Sequence, residues 1–127
     1  MNKPVPERQL ANVKMTEYQL QSFCVQWLQY RGLDFLHVPN EGKRNLSSGA
    51  RLKKMGMMKG FPDIYIFSRP PRFPSCRGIA FELKVGKNKL TTDQKRWLAI
   101  LAACGCWTAE IRTPEQFLAE MQRLGWA

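Results

Sequence analysis

Asp63, Glu82 and Lys84 are the residues of this chain whose types and spacing point to chemistry. Glu82-Leu83-Lys84 lies inside Ile79 to Val85, an apolar-rich run that reads as a β-strand. Residues two apart in a strand share a face, so Glu82 and Lys84 project together while Phe81, Leu83 and Val85 turn into apolar packing. Gly60-Phe61-Pro62 breaks the chain, and a second strand is expected from Asp63 to Phe67. If these strands form a hairpin, the start of the first lies beside the end of the second, and Asp63 neighbours Glu82. Cross-strand partners stand about 4.5–5.5 Å apart at Cβ. Two carboxylates at that separation repel unless something positive sits between them. A Mg²⁺ ion held by a few carboxylates, water and a substrate phosphate meets that demand. Such an ion acidifies its bound water. Lys84 would orient or deprotonate the attacking water, or stabilise charge developing on the phosphate. An E-x-K by itself is usually a solvated strand face with a weak ion pair, and Pro before Asp is common at strand entries. The combination of Gly60-x-Pro-Asp, an E-x-K flanked by apolar residues and a basic chain carries the reading.

The remaining elements must hold these residues in place. Residues 1–15 read as a polar arm. Thr16 and Gln19 form a capping box ahead of a helix whose apolar stripe is Leu20, Phe23, Cys24, Trp27 and Leu28 and which ends at Gly32. Leu33 to Val38 is a short strand, Pro39 to Ser48 a loop, and Ala50 to Met57 a short basic helix. Ser68 to Gly78, rich in Pro and Arg, connects the two strands of the proposed hairpin. Thr91 or Thr92 caps a helix carrying Trp97, Leu98, Leu101 and Ala102, which Gly105 ends. Cys106 to Ile111 is the last strand. Thr113, Pro114 and Gln116 open the final helix as N-cap, first position and N3. Trp27, Trp97 and Trp107 read as core. The order α-β-(α)-β-β-α-β-α implies an α/β class: one domain, over residues 16–127, with a mixed central sheet flanked by helices.

Composition narrows the partner. Lys and Arg total 20 against 10 Asp and Glu, a formal charge of +10, and the imbalance is uneven. Gly42 to Pro62 contains no acid, yet Lys43, Arg44, Arg51, Lys53, Lys54 and Lys59 fall there. A polyanion is the expected partner, although charge alone does not separate DNA from RNA or an anionic membrane. No apolar run approaches the roughly 20 residues of a membrane helix, and Met1 to Lys14 lacks a secretory core, so the cytoplasm is expected. Cys24, Cys76, Cys104 and Cys106 make no C-x-x-C, and His37 is the sole histidine, which argues against structural zinc. Cys24 reads as a core residue.

Taken together, these motifs make the sequence resemble the PD-(D/E)xK nuclease superfamily, and within it the virus-type replication-repair nuclease (VRR-NUC) family. The resemblance runs from Thr16 to about Leu101: Glu17, Pro39-Asn40-Glu41-Gly42, the stretch through Met55-Gly56, Gly60-Phe61-Pro62-Asp63, Glu82-Leu83-Lys84 and Leu90 through Gln94. It implies a restriction-endonuclease-like core and a metal-dependent phosphodiesterase. Relatives that stand alone resemble Holliday-junction resolvases and tend to be homodimers; larger ones carry the domain as the nuclease end of a repair protein. The basic loop and residues 69–77 have no counterpart in the pattern. On this resemblance Asp63 and Glu82 are metal ligands, Lys84 is catalytic, and Leu83 offers a backbone carbonyl to the metal. Glu17 adds a carboxylate, or is a first-turn acid favoured by the helix dipole. Gln94 holds water or phosphate, or simply caps its helix. Asn40 braces the site, or serves its turn. Lys43, Arg44, Arg51, Lys53 and Lys54 are expected phosphate contacts.

The expected function is therefore a Mg²⁺-dependent, structure-selective DNA endonuclease, with Mn²⁺ substituting, acting on branched or four-way-junction DNA as a homodimer. Within nucleases, a general nickase or restriction-type enzyme is the alternative. A catalytically inactive nucleic-acid-binding module would bind without cleaving, and a basic scaffold would show no affinity beyond what salt removes. The intact Asp, Glu and Lys set argues against both.

Overall fold

The computed structural model describes residues 14–38 and 59–126. Three helices and four strands follow in the order α1 (Glu17–Tyr30), β1 (Phe35–His37), β2 (Ile64–Ile66), β3 (Ile79–Leu83), α2 (Thr92–Ala103), β4 (Trp107–Ile111) and α3 (Pro114–Leu124). The strands lie in the order β1-β2-β3-β4. The first three are antiparallel, and β4 runs parallel to β3. A parallel neighbour needs a crossover, and α2 supplies it. The sheet is therefore mixed and flanked by helices, as the element order implied. The short helix expected at 50–57 lies outside the described residues, as does most of the 1–15 arm.

Alternation sorts the sheet into two faces. Ile64, Ile66, Ile79, Phe81 and Leu83 point to one side, where they are fully buried with Leu20, Cys24 and Leu28 of α1 and Phe117, Met121 and Leu124 of α3. Phe117 is the hub, meeting Phe23, Trp27 and Phe81 edge-on at 6.3, 5.4 and 6.0 Å. Helix α1 starts at the Thr16–Gln19 capping box and stops at Gly32 with φ of 67°. Helix α3 starts at Thr113 with Pro114 inside it and ends at Gly125 in the left-handed region. Ala80 and Glu82 point to the other face, under α2. All five residues of β3 are buried, because both of its faces are covered.

One expectation is corrected. Trp97 is not part of the apolar core. Helix α2 has no fully buried residue, and Trp97 is only half-buried. Its indole packs on Phe61 at 5.2 Å, and its N–H donates to the Lys59 carbonyl at 3.1 Å. It clamps the segment before β2 onto α2. Trp27 and Trp107 are partly buried against the core.

Candidate active site

The register pairs Ile64 with Phe81, Tyr65 with Ala80 and Ile66 with Ile79. Continued by one step, it sets Asp63 opposite Glu82, the juxtaposition expected of the hairpin. Asp63 precedes β2, and its Oδ2 accepts the Leu83 N–H at 2.7 Å. Its own carbonyl accepts from Val38 N–H at 2.7 Å, which extends the β1–β2 ladder. Asp63 is thus held from both sides, its carboxylate by β3 and its backbone by the residue that follows β1. Glu82 is 2% exposed, the only buried charged residue among those described. The Gln94 amide donates to Glu82 Oε1 at 3.0 Å, whereas Oε2 is buried with no hydrogen-bond partner.

Gln94 does two jobs. Its Oε1 accepts the Thr91 N–H at 2.9 Å, while Thr91 Oγ1 accepts the Gln94 N–H at 3.2 Å. This capping box occupies the amide oxygen, which leaves the amide nitrogen facing Glu82. Both readings of Gln94, cap and site residue, are satisfied by one side chain. Glutamate at this position would keep the cap and lose the donor.

Electrostatics follow the packing. Burial first, then the neighbouring Asp63 carboxylate, push the Glu82 carboxyl from 4.5 up to about 9; Lys84 opposes the shift, and Glu17 adds to it. Glu17, half-buried in the first turn of α1, is also raised by burial and then by Asp63, again opposed by Lys84. Asp63, Glu82, Glu17 and Lys84 therefore lie within electrostatic range of one another. The Lys84 N–H donates to the Ile111 carbonyl at 3.0 Å, so the β3–β4 ladder continues past Leu83 and keeps Lys84 on Glu82's face.

The fit to a divalent cation rests on the orphaned Glu82 Oε2 beside Asp63, a buried carboxylate oxygen facing a second acid with no donor to satisfy it. Among the described residues no three His, Cys, Asp or Glu side chains are grouped closely enough to hold a metal by themselves. Glu17 does not close such a cluster. Asp63 and Glu82 would need further oxygen donors, from the Leu83 carbonyl, water or a substrate phosphate. Asn40, Lys43, Arg44, Arg51, Lys53 and Lys54 lie outside the described residues.

Several residues around the site gave no signal in the sequence. Gly60 adopts φ of 89°, and a Cβ there would stand 2.6 Å from Asp93 Cβ and 2.9 Å from Gln94 N. Only glycine lets the strand entry press against the start of α2. Glu110 is registered beside Glu82 on β4. It is ion-paired with Arg112 at 2.5 Å, and Arg112 also donates to the Gly86 and Asn88 carbonyls. Glu110 is thereby neutralised by a cation that also straps down the turn after β3. The Gln21 amide meets the His37 ring between α1 and the end of β1. The Gly-x-Pro-Asp motif pointed at Gly60 without giving its reason, and nothing in periodicity marks the other pairs.

The VRR-NUC domain family model matches residues 15–113. The chain belongs to the VRR-NUC family, a nuclease-type family. A solved structure of a "VRR_NUC domain protein" superposes with a TM-score of 0.70 at 22% identity, covering 87% of this chain and 88% of that one. At that identity the likeness is one of fold. No curated protein is similar enough in sequence to match.

Proposed function

We propose that this protein is a divalent-metal-dependent, structure-selective DNA endonuclease that hydrolyses phosphodiester bonds at branched or four-way-junction DNA. The observation that carries the reading is the buried Glu82, held by Gln94 on one oxygen and open on the other, directly across from Asp63. A buried carboxylate with an unmet oxygen beside a second acid destabilises a fold unless a cation or proton joins it, and such sites are placed by function more often than by packing.

Asp63 and Glu82 would hold the metal, with the Leu83 carbonyl as a further donor; Mg²⁺, or Mn²⁺ in its place, would lower the pKa of water and polarise the phosphate. The residues then divide the remaining work. The Leu83 N–H fixes Asp63 Oδ2. Gln94 fixes Glu82 Oε1, so the carboxylate cannot rotate away. Lys84, on the same face, orients the attacking water, takes its proton or meets the charge building on the phosphate. Glu17, on α1, lies close enough to bias the site's charge but not to complete a three-carboxylate cluster, so any contact it made with the metal would run through water. Lys43, Arg44, Arg51, Lys53 and Lys54, with Asn40, would contact the DNA backbone without reading bases. The nuclease unit is proposed to span residues 16–127.

End-labelled duplex, single-strand, flap and four-way-junction DNAs incubated with the protein test the reading. Cleavage is expected with Mg²⁺ or Mn²⁺, favouring branched forms, and little with Ca²⁺, whose looser and higher coordination places water badly. Asp63→Ala, Glu82→Ala and Lys84→Ala should each abolish it. A Glu82→Ala enzyme that cuts at the wild-type rate with the wild-type pattern would overturn the site.

A further inference from the structure

Strand β2 connects the candidate site to a second feature on the same face of the sheet. Alternation along β2 puts Asp63, Tyr65 and Phe67 on one side. Phe67 lies roughly 13 Å from Asp63, at about 3.3 Å per residue. Helix α2 covers β3 and β4 on this face, and Phe67 is left 59% exposed. It borders an open groove of about 520 Å³ lined by Phe67, Arg69, Pro74, Ser75, Cys76 and Arg77.

The groove is preformed. Its Pro- and Arg-rich rim is pinned at several points: Arg72 N–H donates to the Leu124 carbonyl at 3.0 Å, and Arg77 N–H to the Gly105 carbonyl at 3.0 Å. The Cys76 thiol donates to the Gly78 carbonyl at 3.0 Å. Phe73 lies on Trp107 at 5.0 Å. The Phe67 ring is backed by Tyr65 at 4.9 Å. Tyr65 is itself fixed, with its hydroxyl 3.7 Å from Cys106 Sγ. Gly78 makes room for it, since a Cβ there would stand 2.0 Å from the Tyr65 oxygen. Arg69 and Arg77 are exposed, and among the described residues neither is in a salt bridge.

A supported, exposed aromatic ring on a groove that also carries two arginines has the composition of a base-stacking platform with phosphate contacts. The rim's cations disfavour a second copy of the same surface. We propose that this groove binds an unpaired DNA strand and holds it while a phosphodiester further along the same DNA lies at Asp63 and Glu82. The link to cleavage rests on the nuclease reading; the binding itself does not.

Fluorescence anisotropy in EDTA, where nothing is cut, separates the two. Labelled DNAs would be a blunt duplex and the same duplex with a single-stranded tail carrying 2-aminopurine. Wild-type protein should prefer the tailed form and quench the probe. Phe67→Ala should reduce the tailed-to-blunt affinity ratio about tenfold and relieve the quench, whereas Phe67→Trp should retain both. Arg69→Ala with Arg77→Ala should flatten the salt dependence on tailed DNA by roughly one to two units of slope. Thermal melts of each variant check that the exposed positions leave the fold intact. Equal losses on both DNAs, or no loss on either, would overturn the proposal. So would altered sedimentation with unchanged DNA affinity, which would make the groove a self-association surface. A wild-type protein that binds tails in this way yet cuts no DNA with any divalent ion would leave this proposal standing and remove the nuclease reading.

Discussion

The Glu82 carboxyl is central to the proposed site and is also a liability. Without a divalent ion, the folded protein keeps a proton on Glu82 up to about 9, whereas an unfolded chain releases it near 4.5. The folded state therefore binds more protons across that window, and raising the pH through it lowers stability, with the full loss reached above about 9. Thermal melts in EDTA should show the wild type falling by several degrees between pH 5 and pH 9. Glu82→Gln, which keeps an acceptor for Gln94 and carries no charge, should lack this contribution and melt above the wild type at the alkaline end. Mg²⁺ should recover the wild type there and leave Glu82→Gln unmoved. A wild-type melt that does not change with pH in EDTA would show that Glu82 ionises without cost. The Asp63–Glu82 pair was legible in the sequence because strand pairing is arithmetic: a hairpin between two recognisable apolar runs leaves few registers that bury Ile64, Ile66, Phe81 and Leu83 together. The partner of each oxygen was not legible. Whether Gln94 reached Glu82 depended on where α2 docked, and a capping box looks the same whichever way its amide faces.

At the scale of elements, the site depends on how the strand entry meets α2. Gly60 is the contact point, needing both positive φ and room against Asp93 and Gln94. Gly32 offers a control, with φ of 67° and open space for 4 Å around the point where a Cβ would stand. Gly32→Ala should therefore cost only backbone strain, about 1 kcal/mol, and Gly60→Ala about 2–4 kcal/mol because strain and collision add. Urea denaturation of the two variants would measure the difference. Equal losses would mean that the approach of Gly60 to α2 relaxes freely. Gly60→Ala should also slow cleavage under conditions where it remains folded, since Asp63 and Gln94 sit on opposite sides of the contact. The elements themselves were mostly legible. Caps at Thr16, Thr91 and Thr113 and stops at Gly32 and Gly105 are local signals, and each acts on the residues beside it. The misreading of Trp97 has the opposite cause. An apolar residue on a helix is ordinarily core, but Trp97 lies on the part of α2 that meets the segment entering β2, and its partners there are Phe61 and the Lys59 carbonyl.

At the scale of the molecule, each chain offers one acid pair, and a four-way junction must be cut on two strands to be resolved. Two-fold symmetry is the simplest way to supply two cuts, and C₂ dimers are the commonest oligomers. We expect a homodimer in sedimentation at micromolar concentration and paired cuts in a cruciform plasmid, with DNA shape rather than base identity selecting the substrate. The outer surface of α1, where Tyr18 is 77% and Tyr30 89% exposed, is better suited to the seam than the arginine-bearing rim of residues 69–77. A strict monomer that only nicks the plasmid, with no bias towards the cruciform, would exclude junction resolution and leave a generic nuclease. The parallel pairing of β3 with β4 bears on how such a molecule is made. The β2–β3 hairpin joins neighbouring stretches of chain, so its loop closes at modest entropic cost. The crossover through α2 must be completed before β4 has an edge to join. If the hairpin forms first, Asp63 and Glu82 meet while still in water, and Glu82 is desolvated only when α2 packs over it. In that order the electrostatic cost of burying Glu82 falls after the β2–β3 register has been set.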